Sequence, residues 1–304
     1  DLTLLNNRLN VNLDYYDKLT DPLLAAVSVP SSVGSKRVMT NVGSQRTQGV
    51  SGTVKYSPVY HPEERINWTL SASFKHQKAK YEDIGNSLDQ FNKENLNTSL
   101  VRYYDGGSPT ALWAVRSLGI NPSDGRELFL TKEGTYTFEY DTEDEVVVGN
   151  SEPKLEGVLG STLYWKGFSF SLYFRYSLGA DVFTEATYNK VENISLAGLK
   201  SNQDKRALHD RWQKPGDHAK FKGISLTETT PISSRFVLRE NYIKAESISV
   251  GYDFESQAVQ KLGIQSLRLQ ANTTDLFRIS SIKEERGIEY PFARSFSFSL
   301  SAMF

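Results

Sequence analysis

The 304-residue chain contains no cysteine, which excludes disulfide scaffolds, thiolate zinc sites and cysteine nucleophiles. Its 35 Lys and Arg residues balance 36 Asp and Glu residues, so it lacks the basic excess of a nucleic-acid-binding surface. No segment approaches the roughly 18 to 20 consecutive apolar residues that a membrane-spanning helix requires. In contrast, aromatic side chains are abundant, with 16 Tyr and 16 Phe. The sequence therefore offers no thiol chemistry and no nucleic-acid surface.

Apolar and polar residues alternate strictly in several segments. In the last segment, SFSFSLSAMF, the apolar residues Phe296, Phe298 and Leu300 alternate with serines. This period of two places apolar side chains on one face of a β-strand and polar ones on the other, whereas helical spacing fits none of these segments. The pattern predicts an all-β chain with about eight strands, near residues 4–16, 47–58, 66–77, 156–165, 168–177, 236–254, 264–276 and 294–304.

The connections between these strands alternate in length. Those at 59–65, 166–167 and 255–263 are short, whereas those between them are long, the longest being 78–155 and 178–235. Outer-membrane barrels combine short periplasmic turns with long extracellular loops, and a soluble β-sandwich has no reason to keep this parity. The pattern predicts an antiparallel transmembrane β-barrel with long extracellular loops, in which the last strand descends to a periplasmic end. A soluble β-sandwich is the alternative.

Aromatic residues cluster beside the predicted short turns, as in the girdles of membrane barrels. The predicted girdle contains eight residues: Tyr56, Trp68, Tyr164, Trp165, Phe168, Tyr252, Phe254 and Phe304. Lys244 and Glu246 share the parity of the apolar residues in their strand. We expect both to stand above the hydrocarbon, because a Lys at mid-bilayer costs about 2–4 kcal/mol.

No pattern for catalysis or for metal or cofactor binding emerges. None of the four histidines lies two or four residues from another, no Gly-x-Ser-x-Gly elbow is present, and there is no phosphate-binding loop. The acidic segment DTEDE at 141–145 lacks the ligand order of a calcium loop and is predicted to be a solvated loop. The sequence thus predicts neither an enzyme nor a metal or cofactor site.

Several motifs resemble those of SusC/RagA-type TonB-dependent transporters. The C-terminal stretches RENYIKAESISVGYDF, LGIQSLRLQANTTDLF and YPFARSFSFSLSAMF are similar to the family's C-terminal signature. Upstream, TNVGSQRTQGV, LGINPSDGRELF and DRWQKPGDHAKF follow the family's usual order. One departure is LQANTTDLF, where the family usually has Gly-Gln-Asn before Leu-Phe. The resemblance covers nearly the whole chain.

This resemblance implies a barrel of about 22 strands with an N-terminal plug domain and a TonB box. We therefore expect residues 1–304 to form the C-terminal portion of such a barrel, without the plug and the N-terminal strands. The implied location is the outer membrane of a Gram-negative bacterium, in contact with its lipid. A self-contained eight-stranded barrel that acts as an adhesin or scaffold is a further alternative.

The resemblance also implies active import of glycans or oligopeptides. The implied partners are a SusD-like surface lipoprotein and TonB, which would act through the missing N-terminal region. Candidate substrate-binding residues are aromatic side chains in the long loops that could stack on sugars or contact peptides: Tyr103, Tyr104, Trp113 and Trp212. The alternative for these rings is packing of the loops against each other or against the lipoprotein.

Overall fold

A computed structural model describes residues 1–29, 32, 34–35, 37–225, 227–254, 261, 263–283 and 293–304. In this part the strands are β1 (Leu2–Leu4), β2 (Leu9–Thr20), β3 (Leu24–Ser28), β4 (Arg37–Asn41), β5 (Ser44–His61), β6 (Ile66–Glu82), β7 (Ala111–Ile120), β8 (Glu127–Leu130), β9 (Tyr136–Thr137), β10 (Glu145–Asn150), β11 (Leu155–Trp165), β12 (Phe168–Phe183), β13 (Val237–Phe254), β14 (Ser266–Thr274), β15 (Arg278–Ser280) and β16 (Phe296–Met303).

The helices are short and lie between the strands. They are α1 (Asp89–Glu94), α2 (Glu185–Thr187) and α3 (Arg206–His209), a π-helical turn (Tyr188–Glu192), and 3-10 turns at Pro62–Glu64, Thr142–Asp144, Gly198–Lys200 and Ser234–Phe236. None of the helices in the described ranges is both long enough and apolar enough to cross a membrane.

One antiparallel sheet of ten strands organises the molecule. Its order is β1-β2-β5-β6-β11-β12-β13-β14-β16, and β15 pairs with β13 beyond the end of β14. All eight predicted strands belong to this sheet. Among the described strands, β1 and β16 end the sheet on opposite sides and do not pair with each other. The sheet is therefore an open part of a barrel wall, with two smaller sheets (β10-β7-β8-β9 and β3-β4) inserted in its connections.

Several of the strands continue beyond their predicted ends on the side of the long connections. Strand β5 has 18 residues, β6 has 17 and β12 has 16, each longer than predicted, whereas β13 keeps its predicted length to within one residue. A tilted strand needs only about 9–11 residues to cross a bilayer. The additional residues therefore carry the barrel wall above the membrane, where the long connections begin.

The prediction of a single strand over 4–16 is wrong, because a tight turn divides this segment. Leu5, Asn6 and Asn7 have φ angles of 56°, 52° and 66°, and the Arg8 N–H donates to the Leu5 carbonyl oxygen at 3.2 Å. Asparagine adopts this left-handed region more readily than most residues, so the two asparagines favour the turn. The turn adds β1 to the sheet and lies at the same end as the other short turns, which preserves the predicted parity.

The two faces of the sheet differ in polarity as predicted. Leu163 lies between its cross-strand neighbours Trp68 and Phe170. One position along the strand, Thr162 lies between two hydroxyl residues, Thr69 and Ser171. The apolar face is exposed on interior strands as well, where Leu159, Phe170 and Val250 are 41%, 36% and 46% accessible. A contiguous apolar surface of this extent requires an apolar medium, which a lipid bilayer provides.

The predicted position of Lys244 and Glu246 on the apolar face is wrong. The register between β12 and β13 shifts between the pairs Tyr173–Ser247 and Phe174–Ala245, so Glu246 is an extra residue in a bulge. Lys244 consequently becomes the cross-strand partner of Arg175 on the polar face. The bulge turns both charges away from the lipid, so neither needs to stand above it.

Six of the eight predicted girdle residues lie on the apolar face by strand parity, and a seventh, Phe304, follows the last residue of β16. Trp165, Phe168 and Tyr252 form a row on the apolar face, with ring centroids 6.1 Å and 4.4 Å apart. Tyr164 is the exception, because its cross-strand partner is Ser169 on the polar face. Its hydroxyl accepts a hydrogen bond from Arg65 Nη2 at 2.7 Å. Tyr164 therefore belongs to the interior surface of the wall near the short turns.

Candidate functional site

The two longest connections pack together into a folded cap above the sheet. Leu100, Leu112 and Ala114 of the first connection form a buried cluster with Ile232 of the second. A second cluster, centred on Val191, Phe221 and Phe236, lies within the second connection. Because Phe183 and Tyr188 contact both clusters, the cap is continuous with the upper end of β12. It can therefore hold side chains in fixed positions.

A buried ion pair fixes β10 within this cap. Arg102 is 2% exposed, and its Nε and Nη2 atoms donate to the two carboxylate oxygens of Glu145 at 2.9 Å and 2.8 Å. The remaining guanidinium nitrogen donates to the carbonyl oxygens of Ser99 and Val101. All three nitrogens are thus paired, which a buried charge requires. The pair joins the first residue of β10 to the segment before β7.

A second buried network joins the two connections. Arg235 donates to Glu127 at 2.9 Å and to Glu192 at 3.0 Å, and the Ser233 hydroxyl donates to Glu127 at 2.6 Å. Burial disfavours the charge on Arg235, but its hydrogen bonds to the two carboxylates outweigh this effect and raise its pKa. Burial likewise raises the pKa of Tyr140, whose hydroxyl donates to the Ile232 carbonyl oxygen. These groups pair with one another and act in packing the two connections together.

Trp212, a predicted substrate contact, lies within the interface between the two connections. Its Nε1 donates to the Pro122 carbonyl oxygen at 2.9 Å, and the Gly216 N–H donates to the same oxygen at 2.9 Å. A β-carbon on Gly125 would lie 2.5 Å from the indole ring, so this turn passes directly over the tryptophan. The motifs LGINPSDG and RWQKPGD thus meet through this tryptophan, which serves packing.

Tyr103 is also used in packing. Its ring lies 5.5 Å from that of Tyr81 and 5.4 Å from that of Phe91, and it contacts the buried cluster of Val42, Tyr81, Ile84 and Leu88. Its backbone N–H donates to the side chain of Asn92. Tyr103 is half-buried and anchors α1 to the end of β6.

Tyr104 and Trp113 are the two predicted residues that the structure brings together at an open surface. Their ring centroids are 5.1 Å apart, and Tyr104 is 42% exposed. They line a groove of about 670 Å³ together with Leu96, Lys132, Thr142, Glu143, Glu145, Val146 and Val147. Aromatic faces offer stacking surface to sugars and apolar side chains. This groove, which we call the aromatic groove, is the best-formed candidate contact surface among the predicted residues.

The polar face of the sheet carries a second candidate surface, a band of charges across several strands. Lys75 on β6 pairs with Glu156 on β11 at 3.3 Å, and Arg175 on β12 pairs with Glu246 on β13 at 2.8 Å. Asp14 on β2 lines the same depression of about 250 Å³ as Lys75, Glu156 and Arg175. We call these residues the lumenal band. The residues of the lumenal band can be recognised in the sequence as charged residues at the polar positions of alternating strands.

The acidic segment 141–145 is used locally. The Asp141 carboxylate accepts the Glu143 N–H at 2.9 Å, and the Asp144 carboxylate accepts the Lys132 N–H at 2.9 Å. Glu145 pairs with Arg102. No group of three or more His, Cys, Asp or Glu side chains suited to a metal ion is found among the described residues. The two candidate surfaces can bind and guide a ligand through stacking, hydrogen bonds and charge.

Comparisons with known proteins agree with this architecture. A family model described as "TonB dependent receptor-like, beta-barrel" matches residues 2–126. TonB-dependent receptor P39 of Formosa agariphila is 24% identical over 92% of this chain and 31% of its own length. TonB-dependent receptor SusC of Bacteroides thetaiotaomicron is 23% identical over 100% of this chain and 31% of its own length. The chain thus spans about a third of the length of the curated relatives it matches.

Solved structures show the same fold. The RagAB peptide importer in the "open-open" state superposes with a TM-score of 0.76 at 18% identity, covering 99% of this chain and 33% of the matched chain. The RagAB peptide transporter superposes with a TM-score of 0.74 at 20% identity. Together with the lipid-facing and polar faces described above, these matches confirm the predicted resemblance to SusC/RagA-type proteins. The chain therefore has the fold of part of a β-barrel of the TonB-dependent receptor type.

Proposed function

We propose that residues 1–304 form the C-terminal portion of an outer-membrane transporter that imports oligopeptides or glycans with energy supplied through TonB. The observation that carries this proposal is the two-faced sheet, whose apolar face suits lipid and whose polar face bears the lumenal band. A folded cap stands over the end of the wall where long connections join the strands. This arrangement suits capture of a ligand above the membrane and its passage along a polar interior.

Within this proposal, Tyr104 and Trp113 are the contacts that meet the substrate at the aromatic groove. Tyr103 and Trp212 are not assigned to substrate contact in this proposal, because their rings are engaged in packing. The lumenal band then faces the substrate path or the plug domain within the barrel. The chain contributes binding and guidance, and no catalytic step is assigned to it.

The partner we propose is a SusD-like surface lipoprotein that covers the cap. Support comes from the similarity to SusC and to the RagAB structures. Three exposed apolar residues of the second long connection, Leu196, Leu199 and Leu208, are 64%, 46% and 64% accessible and suit such a contact. Replacing Leu196 and Leu208 by serine tests this role. Loss of co-purification of the lipoprotein, with barrel assembly unchanged, is the expected result.

An uptake experiment tests the function itself. Cells that carry the gene in its native operon are compared with a strain lacking TonB and with a strain lacking this gene, using fluorescent oligopeptides and oligosaccharides. We expect uptake of one of these classes to require both the gene and TonB. Uptake that proceeds equally in all three strains would contradict a TonB-dependent importer and would favour a scaffold or adhesin.

A further inference from the structure

Strand β10 forms an open edge of the four-stranded sheet in the cap. Among the described strands the sheet order is β10-β7-β8-β9, and β10 pairs with β7 alone. An open edge presents backbone N–H and C=O groups that can pair with another extended chain. Which residues of β10 present these groups follows from the register between the two strands.

The register shows that Val147 turns its backbone groups toward the open edge. The N–H of Trp113, its cross-strand partner, donates to the Leu100 carbonyl oxygen at 2.7 Å and so points away from β10. In an antiparallel ladder, two opposite residues either exchange both hydrogen bonds or both turn away from each other. Val147 therefore turns away from β7, as Trp113 turns away from β10.

The two ends of this edge are already occupied. The Glu145 N–H donates to the Thr142 carbonyl oxygen, and the Asn150 N–H donates to the Asp181 carboxylate at 2.9 Å. Between them, the Val147 N–H and C=O have no hydrogen-bond partner within the described part of the chain. Val147 is 53% exposed, so the position is open to a ligand. The edge thus has room for one reciprocal pair of backbone hydrogen bonds.

The aromatic groove lies on the side-chain face of this open position. Val147 and Trp113 are cross-strand partners, so their side chains share one face of the sheet. A residue that paired with Val147 from an added strand would place its side chain on that same face, next to Val147 and within reach of the large rings of Trp113 and Tyr104 one strand further on. Lys132 and Glu143, which have opposite charges, line the same groove. A peptide carries backbone acceptors and donors that can meet the N–H and C=O of Val147 and the charged groups of Lys132 and Glu143, so it is complementary to this surface.

We propose that the open edge of β10 binds an extended oligopeptide, which pairs its backbone with Val147 and places an apolar or aromatic side chain against Trp113 and Tyr104. The inference rests on the proposed import function and deepens it by assigning a substrate class and a place. An oligosaccharide could stack on the rings but lacks an amide N–H and C=O spaced to pair with one residue of a strand. Backbone pairing with the edge of β10 is thus the interaction that a peptide can make and a glycan cannot.

The test uses the full-length transporter, purified in detergent, and the blocked peptide acetyl-Thr-Phe-Thr-amide. Val147→Pro removes the edge N–H without removing a bond to β7, and proline is tolerated at such edge positions. Val147→Thr is the matched control, since it keeps the N–H and the branched shape. We expect Val147→Pro to weaken peptide binding about five- to tenfold and Val147→Thr to change it less than about twofold.

Modified peptides test the same hydrogen-bond pair from the side of the ligand. N-methylation of the Phe should weaken binding by a similar factor of about five to ten, because its N–H is the group that meets the Val147 carbonyl oxygen. N-methylation of the following Thr, whose N–H points away, should have little effect. Equal binding of the two methylated peptides would overturn the proposal, as would failure of the unmodified peptide to bind the wild type.

Folding of the proline variant is checked by its heat-dependent migration on electrophoresis. If it misfolds, Trp113→Ala and the two methylated peptides decide the question, with Trp113→Ala expected to weaken peptide binding about tenfold through loss of stacking. The edge site and the import function fail in different ways. TonB-dependent uptake together with equal binding of both methylated peptides would refute only the site, whereas absence of TonB-dependent uptake would refute the function.

Discussion

Replacing Leu300 by arginine probes the face assignment of the last strand. Leu300 is the cross-strand partner of Leu269, lies on the apolar face and is 69% exposed. The adjacent Ser299 opposes Gln270, whose side chain donates to Ser249 on the polar face. The two positions are thus one residue apart in depth and differ chiefly in the face that they occupy.

The expected effects differ by a measurable free energy. An arginine near the bilayer midplane on the lipid face of a barrel costs about 2–4 kcal/mol, whereas a lumenal position tolerates charge. We therefore expect Leu300→Arg to lower the free energy of unfolding by about 2–4 kcal/mol and Ser299→Arg by less than about 1 kcal/mol. Urea titration of the transporter in phospholipid vesicles, followed by tryptophan fluorescence, measures the difference. Equal shifts of the unfolding midpoint would refute the face assignment.

Three further substitutions test the wall and the cap. Gly157→Ala would place a β-carbon 1.9 Å from a carbonyl oxygen of β6. This substitution should lower the free energy of unfolding by more than about 1 kcal/mol in the same titration. Gly223→Ala is the control, because the nearest contact of its added β-carbon is at 3.6 Å, and it should have no comparable effect. Trp212→Phe removes the indole donor to Pro122 and should cost about 0.5–1.5 kcal/mol, seen as faster amide hydrogen exchange in this turn; unchanged exchange would contradict the packing role. Arg235→Met leaves two buried carboxylates without their cation and should destabilise the cap by about 3–5 kcal/mol; limited proteolysis should then cleave the cap faster, and an unchanged pattern would count against the network.

The wall of the barrel was predictable because its physical signal is local. In segments such as INWTLSASFK, lipid on one side and water on the other impose a period of two on the sequence itself. The turn at Leu5–Asn7 also had a signal, since adjacent asparagines favour left-handed backbone, although the alternation masked it. The bulge at Glu246 had no such signal, because one extra residue changes the face of Lys244 without changing composition.

The cap was less predictable because its contacts join distant segments. Trp113 and Trp212 are both aromatic residues in long connections, yet one lines an open groove and the other is bonded to Pro122. That difference depends on how the two connections pack, which local periodicity does not encode. The open edge at Val147 likewise follows from the register between β7 and β10 and has no signature in the segment VVV.

Cysteine accessibility along β12 tests the central claim most directly. Residues 1–304 contain no cysteine, so single substitutions at 168–172 introduce one thiol each into this part of the protein, and the unsubstituted protein gives the background labelling. In outer-membrane vesicles, we predict that a water-soluble maleimide labels Ser169→Cys and Ser171→Cys. At Phe168→Cys, Phe170→Cys and Leu172→Cys, the fluorescence of a label attached to the thiol should instead be quenched by lipid-soluble nitroxides. Uniform labelling of all five positions, or a pattern without the period of two, would contradict a barrel wall between lipid and a polar interior.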